Sequence, residues 1–126
     1  MSAGPDQAGN LLALAQEDLA VAQMIDREGL SRVALGFHAQ QAVEKALKSV
    51  LAARDGDFPF THDIEALLEL CEGAGLEPPE DLPAAGRLGP YAGATRYGLG
   101  DPASVDPEDA LRWAAEAVDW AQRQSS

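Results

Sequence analysis

A carboxylate, two ammonium groups and two carboxamides fall at helical spacing in one short stretch of the chain: Gln40, Gln41, Glu44, Lys45 and Lys48. At 3.6 residues per turn His38, Gln41, Lys45 and Lys48 share a polar stripe, while Gln40 and Glu44 sit one turn apart beside the apolar sector of Val43, Ala46, Leu47 and Val50. A carboxylate next to a core needs donors, because an ionised group left unpaired away from water is costly. Lys48 can supply one as the i+4 partner of Glu44, a pair worth roughly 0.2–0.5 kcal/mol when exposed. Two readings follow: a solvated helix face with one structural ion pair, or a binding or interface surface.

Three further side chains carry usable chemistry. His62 stands at a helix start, where an imidazole either caps and packs or titrates near neutral pH. Arg96 and Tyr97 close a later helix. An arginine there suits the helix dipole, and its planar fork also suits a phosphate. Gly98-Leu99-Gly100 is too short and wrongly placed for a phosphate-binding loop and reads as an exit turn. No Cys/His spacing points to a metal, so neither metal nor cofactor is expected. The single cysteine, Cys71, reads as a small buried hydrophobe.

The elements that must position these groups are legible in the periodicity. With 126 residues there is room for one domain. Leu11, Leu12, Ala15, Leu19, Ala22 and Ile25 mark a first helix from Asn10, ended by Gly29. Ser31 caps a second, running to about Arg54. Asp55 to Phe60 is a turn, and Thr61 or Asp63 caps a third helix closed by Gly73 and Gly75. Pro78 and Pro79 lead into a fourth helix over 80–97, kinked or split at Pro90. Asp106-Pro107-Glu108-Asp109 opens a fifth, with a cap, a proline at the first position and acids on the positive end of the dipole. Trp113 and Trp120 lie on one side of it, as core or as a dimer face. The expected fold is all-α: an antiparallel up-down bundle of four main helices plus a fifth C-terminal helix over 10–122, between a disordered segment 1–9 and a frayed tail 123–126.

The net charge of −12 and isoelectric point near 4.3 disfavour broad nucleic-acid binding, since an acidic surface repels phosphate backbones. Met1 to Gly9 lacks the basic and apolar regions of a signal peptide, and no apolar run is long enough for a bilayer, which predicts a soluble cytoplasmic protein with no membrane contact. Short connections between antiparallel helices would bring the end of helix 2, the start of helix 3 and the end of helix 4 together. Lys48, His62, Arg96 and Tyr97 then converge at one end of the bundle with Glu44 one turn away as counter-charge. Such a focus would attract a phosphate or a partner's carboxylate.

The string Phe37-His38-Ala39-Gln40-Gln41-Ala42-Val43-Glu44-Lys45-Ala46-Leu47-Lys48, then Thr61-His62-Asp63-Ile64, then Tyr91 and Thr95-Arg96-Tyr97, resembles the HEPN domain family over about residues 10 to 122. That resemblance implies a bundle of four long helices with a further short one, commonly dimeric. Many such domains stand beside a small nucleotidyltransferase, some as toxin and antitoxin, and others are metal-independent RNases. The nuclease members carry an arginine and, with four to six residues between, a histidine. Arg96 would be that arginine, but Asp101, Pro102 and Ala103 occupy the histidine positions, and no histidine follows His62. An aspartate cannot replace the cationic donor that a protonated imidazole offers a cleaving phosphodiester. The expected function is therefore a homodimeric binding module acting with a nucleotidyltransferase-type partner and holding a nucleotide phosphate at Arg96. The alternative is an RNase with a non-standard site built on His62 or His38.

Overall fold

The computed structural model describes residues 4–55, 60–92 and 105–125. The elements delimited among the described residues are, in order, α1 (Gly4–Glu28), α2 (Arg32–Asp55), α3 (Ile64–Gly73), a 3₁₀ helix (Leu82–Leu88) and the C-terminal helix (Pro107–Gln124). No strand occurs among the described residues. The fold is an all-α bundle, and no described helix is long and apolar enough to cross a membrane.

The α1–α2 hairpin is its frame. Gly29 adopts φ +67°, which a side chain would strain, and lets Leu30 N–H reach the Ile25 carbonyl at 3.0 Å while its own N–H bonds Asp26. Ser31 Oγ then accepts from Ala34 N–H at 3.2 Å, so one helix stops and the next starts after three residues and must turn back. Ala15 and Ala22 on α1 and Ala39, Ala42 and Ala46 on α2 are wholly buried; their small side chains let the two backbones approach closely. Gly75, at φ +85°, closes α3 in the same way as Gly29 closes α1. Asp63 caps α3, accepting from Glu65 N–H at 3.0 Å and Ala66 N–H at 3.4 Å, and Asp106 caps the C-terminal helix.

Three expectations are revised. First, α1 begins at Gly4 rather than near Asn10, taking up most of the segment 1–9 expected to be disordered. Pro5 falls in its first turn, where a missing N–H breaks no helical bond. The C-terminal helix likewise runs to Gln124, past the expected limit at 122. Second, the first part of the fourth helix over 80–97 winds as a 3₁₀ helix, Leu82–Leu88, and helical geometry resumes at Tyr91 after a turn at Gly89 and Pro90, where the kink or split was expected. Pro83 and Pro90 bracket Gly86 and Gly89, a poor α-former, and the buried residues Leu82, Ala85, Leu88 and Tyr91 repeat every third position, the period that puts one face inward at three residues per turn. Residues 93–97 of the expected helix lie outside the described residues.

Third, the later elements do not simply alternate in direction. His62 lies against Glu44 midway along α2, whereas Leu76, past the end of α3, lines a cleft with Val50 and Ala53. The chain thus descends through α3 in the same sense as α2. The seven residues from Asp55 to His62 can span roughly 23 Å, enough to climb back the three turns of α2 involved, so a short connection does not force an antiparallel neighbour. From there Gly86 packs over Glu65, and Tyr91 packs over Gly36 near the start of α2. Tyr91 Oη accepts from Val105 N–H at 3.2 Å, so the C-terminal helix starts at that same level and ends beside Ser49 and Arg54, parallel to α2.

Leu47, Ile64, Leu67, Leu82 and Leu88 fill the centre. Trp113 and Trp120 belong to this chain's own core, so their rings offer no face to a second copy. Burial, with Glu72 adding to it, pushes the Cys71 thiol up to about 11, which keeps it protonated and inert as a core filler.

Candidate functional site: a buried carboxylate and an exposed imidazole

Glu44 occupies the middle turns of α2 with its carboxylate almost fully buried, and three other side chains converge on it. Lys48 Nζ donates to Oε2 at 2.8 Å from one turn further along. Gln40 Nε2 donates to Oε1 at 2.8 Å from one turn before. His62 Nδ1 reaches both oxygens, at 2.9 and 3.1 Å, from the residue preceding the α3 cap. The α3 cap explains this last contact. Asp63 fixes the start of the helix and Thr61 Oγ1 accepts from Asp63 N–H at 3.2 Å, so the backbone on both sides of His62 is held.

The donor set decides the protonation pattern. Burial is the largest single influence on Glu44 and pushes its carboxyl up. The hydrogen bonds from Lys48, Gln40 and His62, with the Lys48 charge, together outweigh it and hold the group below its ordinary value. A carboxylate only accepts, so His62 Nδ1 carries the proton and Nε2 is turned away from Glu44. Gln40 must likewise point its amide nitrogen at Glu44, leaving Oε1 for Gln41 Nε2, which donates at 2.7 Å. Gln40 and Lys48 are buried, whereas the His62 side chain is 76% exposed. The arrangement is a neutralised buried charge presenting one oriented imidazole to solvent.

Of the residues read as site candidates, Lys48 and His62 meet at Glu44, and Gln40 and Gln41 extend the network. Lys45 does not belong to it. Its ammonium donates to Asp18 Oδ2 of α1 at 2.7 Å, and His38 Nδ1 meets Asp18 Oδ1 at 2.9 Å, forming a second hub across the α1–α2 seam. Phe37 stacks edge-on to His38, ring centroids 5.2 Å apart. Arg96 and Tyr97 lie outside the described residues. The 3₁₀ helix ends at Leu88, and Tyr91 packs over Gly36, eight residues and roughly 12 Å before Glu44 along α2. No group of His, Cys, Asp or Glu among the described residues could hold a metal ion.

Sequence reasoning missed Asp18 and Gly36. Asp18 had a signal: it falls between Ala15 and Ala22 on the buried stripe of α1, where an acid needs a partner on the facing helix. Gly36 had none, because what forbids a side chain there is the Tyr91 ring, which stands where a Cβ would be.

Comparison with known proteins agrees with this architecture. None of the curated proteins matches the chain. Among solved structures it is similar to the crystal structure of TT1696 from Thermus thermophilus, with 31% identity, a TM-score of 0.75 and coverage of 94% of this chain and 98% of that one. The model of the HEPN domain matches residues 8–124. The Glu44 network is thus built on nearly the full length of that domain, and the chain belongs to the HEPN family.

Proposed function

We propose that this chain is a HEPN-type binding module rather than a nuclease, working as a homodimer in the cytoplasm beside a nucleotidyltransferase-type partner in a toxin–antitoxin-like pair. Arg96 and Tyr97 provide its contact to a nucleotide phosphate. The observation that carries this reading is the absence of a cationic acid where nuclease members place one: Asp101, Pro102 and Ala103 follow Arg96 at the relevant spacing. Within the described residues Lys48 and Gln40 of α2 are committed to Glu44 and Lys45 to Asp18 of α1, as expected of a scaffold. The dimer rests on the family likeness alone, its surface lying elsewhere than the buried tryptophans.

The test is RNA cleavage by the purified protein. The expected result is no cleavage above that of Arg96→Ala, with light scattering reporting twice the 13.2 kDa chain mass. Cleavage that Arg96→Ala abolishes overturns the reading. One observation favours a second reading, a metal-independent RNase with a non-standard site: the exposed His62 imidazole backed by Glu44 has the form of an oriented acid–base group. Chelator-resistant cleavage lost in His62→Ala would establish that reading instead.

A further inference from the structure

A cleft of ≈ 410 Å³ opens where the first turns of α1, the last turns of α2 and the end of the C-terminal helix meet. Its walls are apolar: Ala8, Leu12, Val50, Ala53, Leu76 and Ala121. The Ser49 hydroxyl in the wall spends its proton on the Ala46 carbonyl at 2.7 Å. Arg54 also lines the cleft, and Gln124 is the other long polar side chain there. In a sequence where acids outnumber bases 21 to 9, no described aspartate or glutamate lines it, and no carboxylate among the described residues pairs with Arg54. Two of the other cations on α2, Lys45 and Lys48, each hold an acid.

From this conjunction we infer that the cleft binds an aliphatic carboxylate, its chain against the alanine and leucine wall and its head group on the Arg54 fork. The volume lies within the roughly 300–1,000 Å³ of small-molecule sites, which combine apolar walls with a few placed polar groups. A recess lined by no described acid, with a guanidinium that no described carboxylate pairs, repels an anion less than the acidic surface around it, and the planar fork suits a carboxylate in two-point contact. The apolar walls select against small hydrated anions, which gain nothing from them. The site is separate from the Glu44 network and independent of the function proposed above, because an RNA-cleavage assay does not involve the cleft.

Calorimetric titration of the full chain with octanoate, octanol and inorganic phosphate tests the assignment. Saturable octanoate binding is expected, at least tenfold tighter than octanol, with phosphate failing to compete. Arg54→Ala should weaken octanoate about tenfold and leave octanol unchanged. Ala53→Phe, an enlargement at an exposed position that fills the cleft, should abolish both, with unchanged far-UV circular dichroism in each variant. Absence of saturable octanoate binding to the wild type overturns the assignment, as does equal affinity for octanoate and octanol, competition by phosphate, or an Arg54→Ala variant that binds octanoate like wild type.

Discussion

The two carboxylate hubs that engage α2 use the same parts to different ends. Glu44 and Asp18 each hold one lysine and one histidine Nδ1 at 2.7–2.9 Å. At Glu44 the acid and lysine are the buried members and the histidine is out in solvent. At Asp18 every member is partly wet, with side-chain exposures of 13% for Asp18, 25% for Lys45 and 30% for His38. Asp18 also links two helices, whereas Glu44 and Lys48 belong to one, and His62 joins them from the start of α3. Burial, rather than the number of partners, is what separates a group whose loss strands a charge from one whose loss exposes it to water.

Four substitutions test that difference. Glu44→Ala leaves Lys48 and Gln40 buried without their shared acceptor and should cost about 3–5 kcal/mol in urea denaturation. Next in size, Gly36→Ala drives a Cβ into the Tyr91 ring and should cost about 1–3 kcal/mol through overpacking, although it touches neither hub. Asp18→Ala, with both partners able to turn to solvent, should cost about 1 kcal/mol. A loss equal to that of Glu44→Ala would remove burial as the deciding factor. His62→Ala should have the smallest effect, about 0.5 kcal/mol, because the exposed ring contributes one hydrogen bond to a group already satisfied by Lys48 and Gln40.

Acid should distinguish Glu44 in a further way. Its folded-state value lies below the ordinary 4.5, so the unfolded chain takes up this proton first. The stability it contributes is complete above about pH 4.5 and is lost as the pH falls through the folded value. Glu44→Gln, compared with wild type in urea melts from pH 7 to pH 3, should therefore be less stable at neutral pH and show a shallower decline in acid. Parallel acid arms would show that Glu44 does not titrate with folding.

Local chemistry was enough for much of this. Gly29, Ser31, Asp63, Gly75 and Asp106 act as stops and caps through bonds that span five residues or fewer, so their roles can be read from neighbours in the chain. The Gln40–Glu44–Lys48 line follows from helical spacing alone. The three-residue repeat of Leu82, Ala85, Leu88 and Tyr91 was equally visible, and the two flanking prolines and two glycines were the warning that it would not wind as an α-helix.

What periodicity cannot supply is which faces meet. Glu44 takes His62 and Asp18 takes Lys45 because α3 returns to the middle of α2 and α1 lies along its other side, and these placements follow from how whole apolar surfaces are buried together. The same holds for Gly36, whose missing side chain has meaning only beneath the Tyr91 ring. The acid-free cleft, too, gathers Arg54 with residues from both ends of the chain. The sequence by itself determined the helices, their caps and the family, since hydrogen bonds between near neighbours and the helical period are local. Only the tertiary structure decided the direction of the later elements and the partner of each charge, because those depend on packing between segments far apart in the chain.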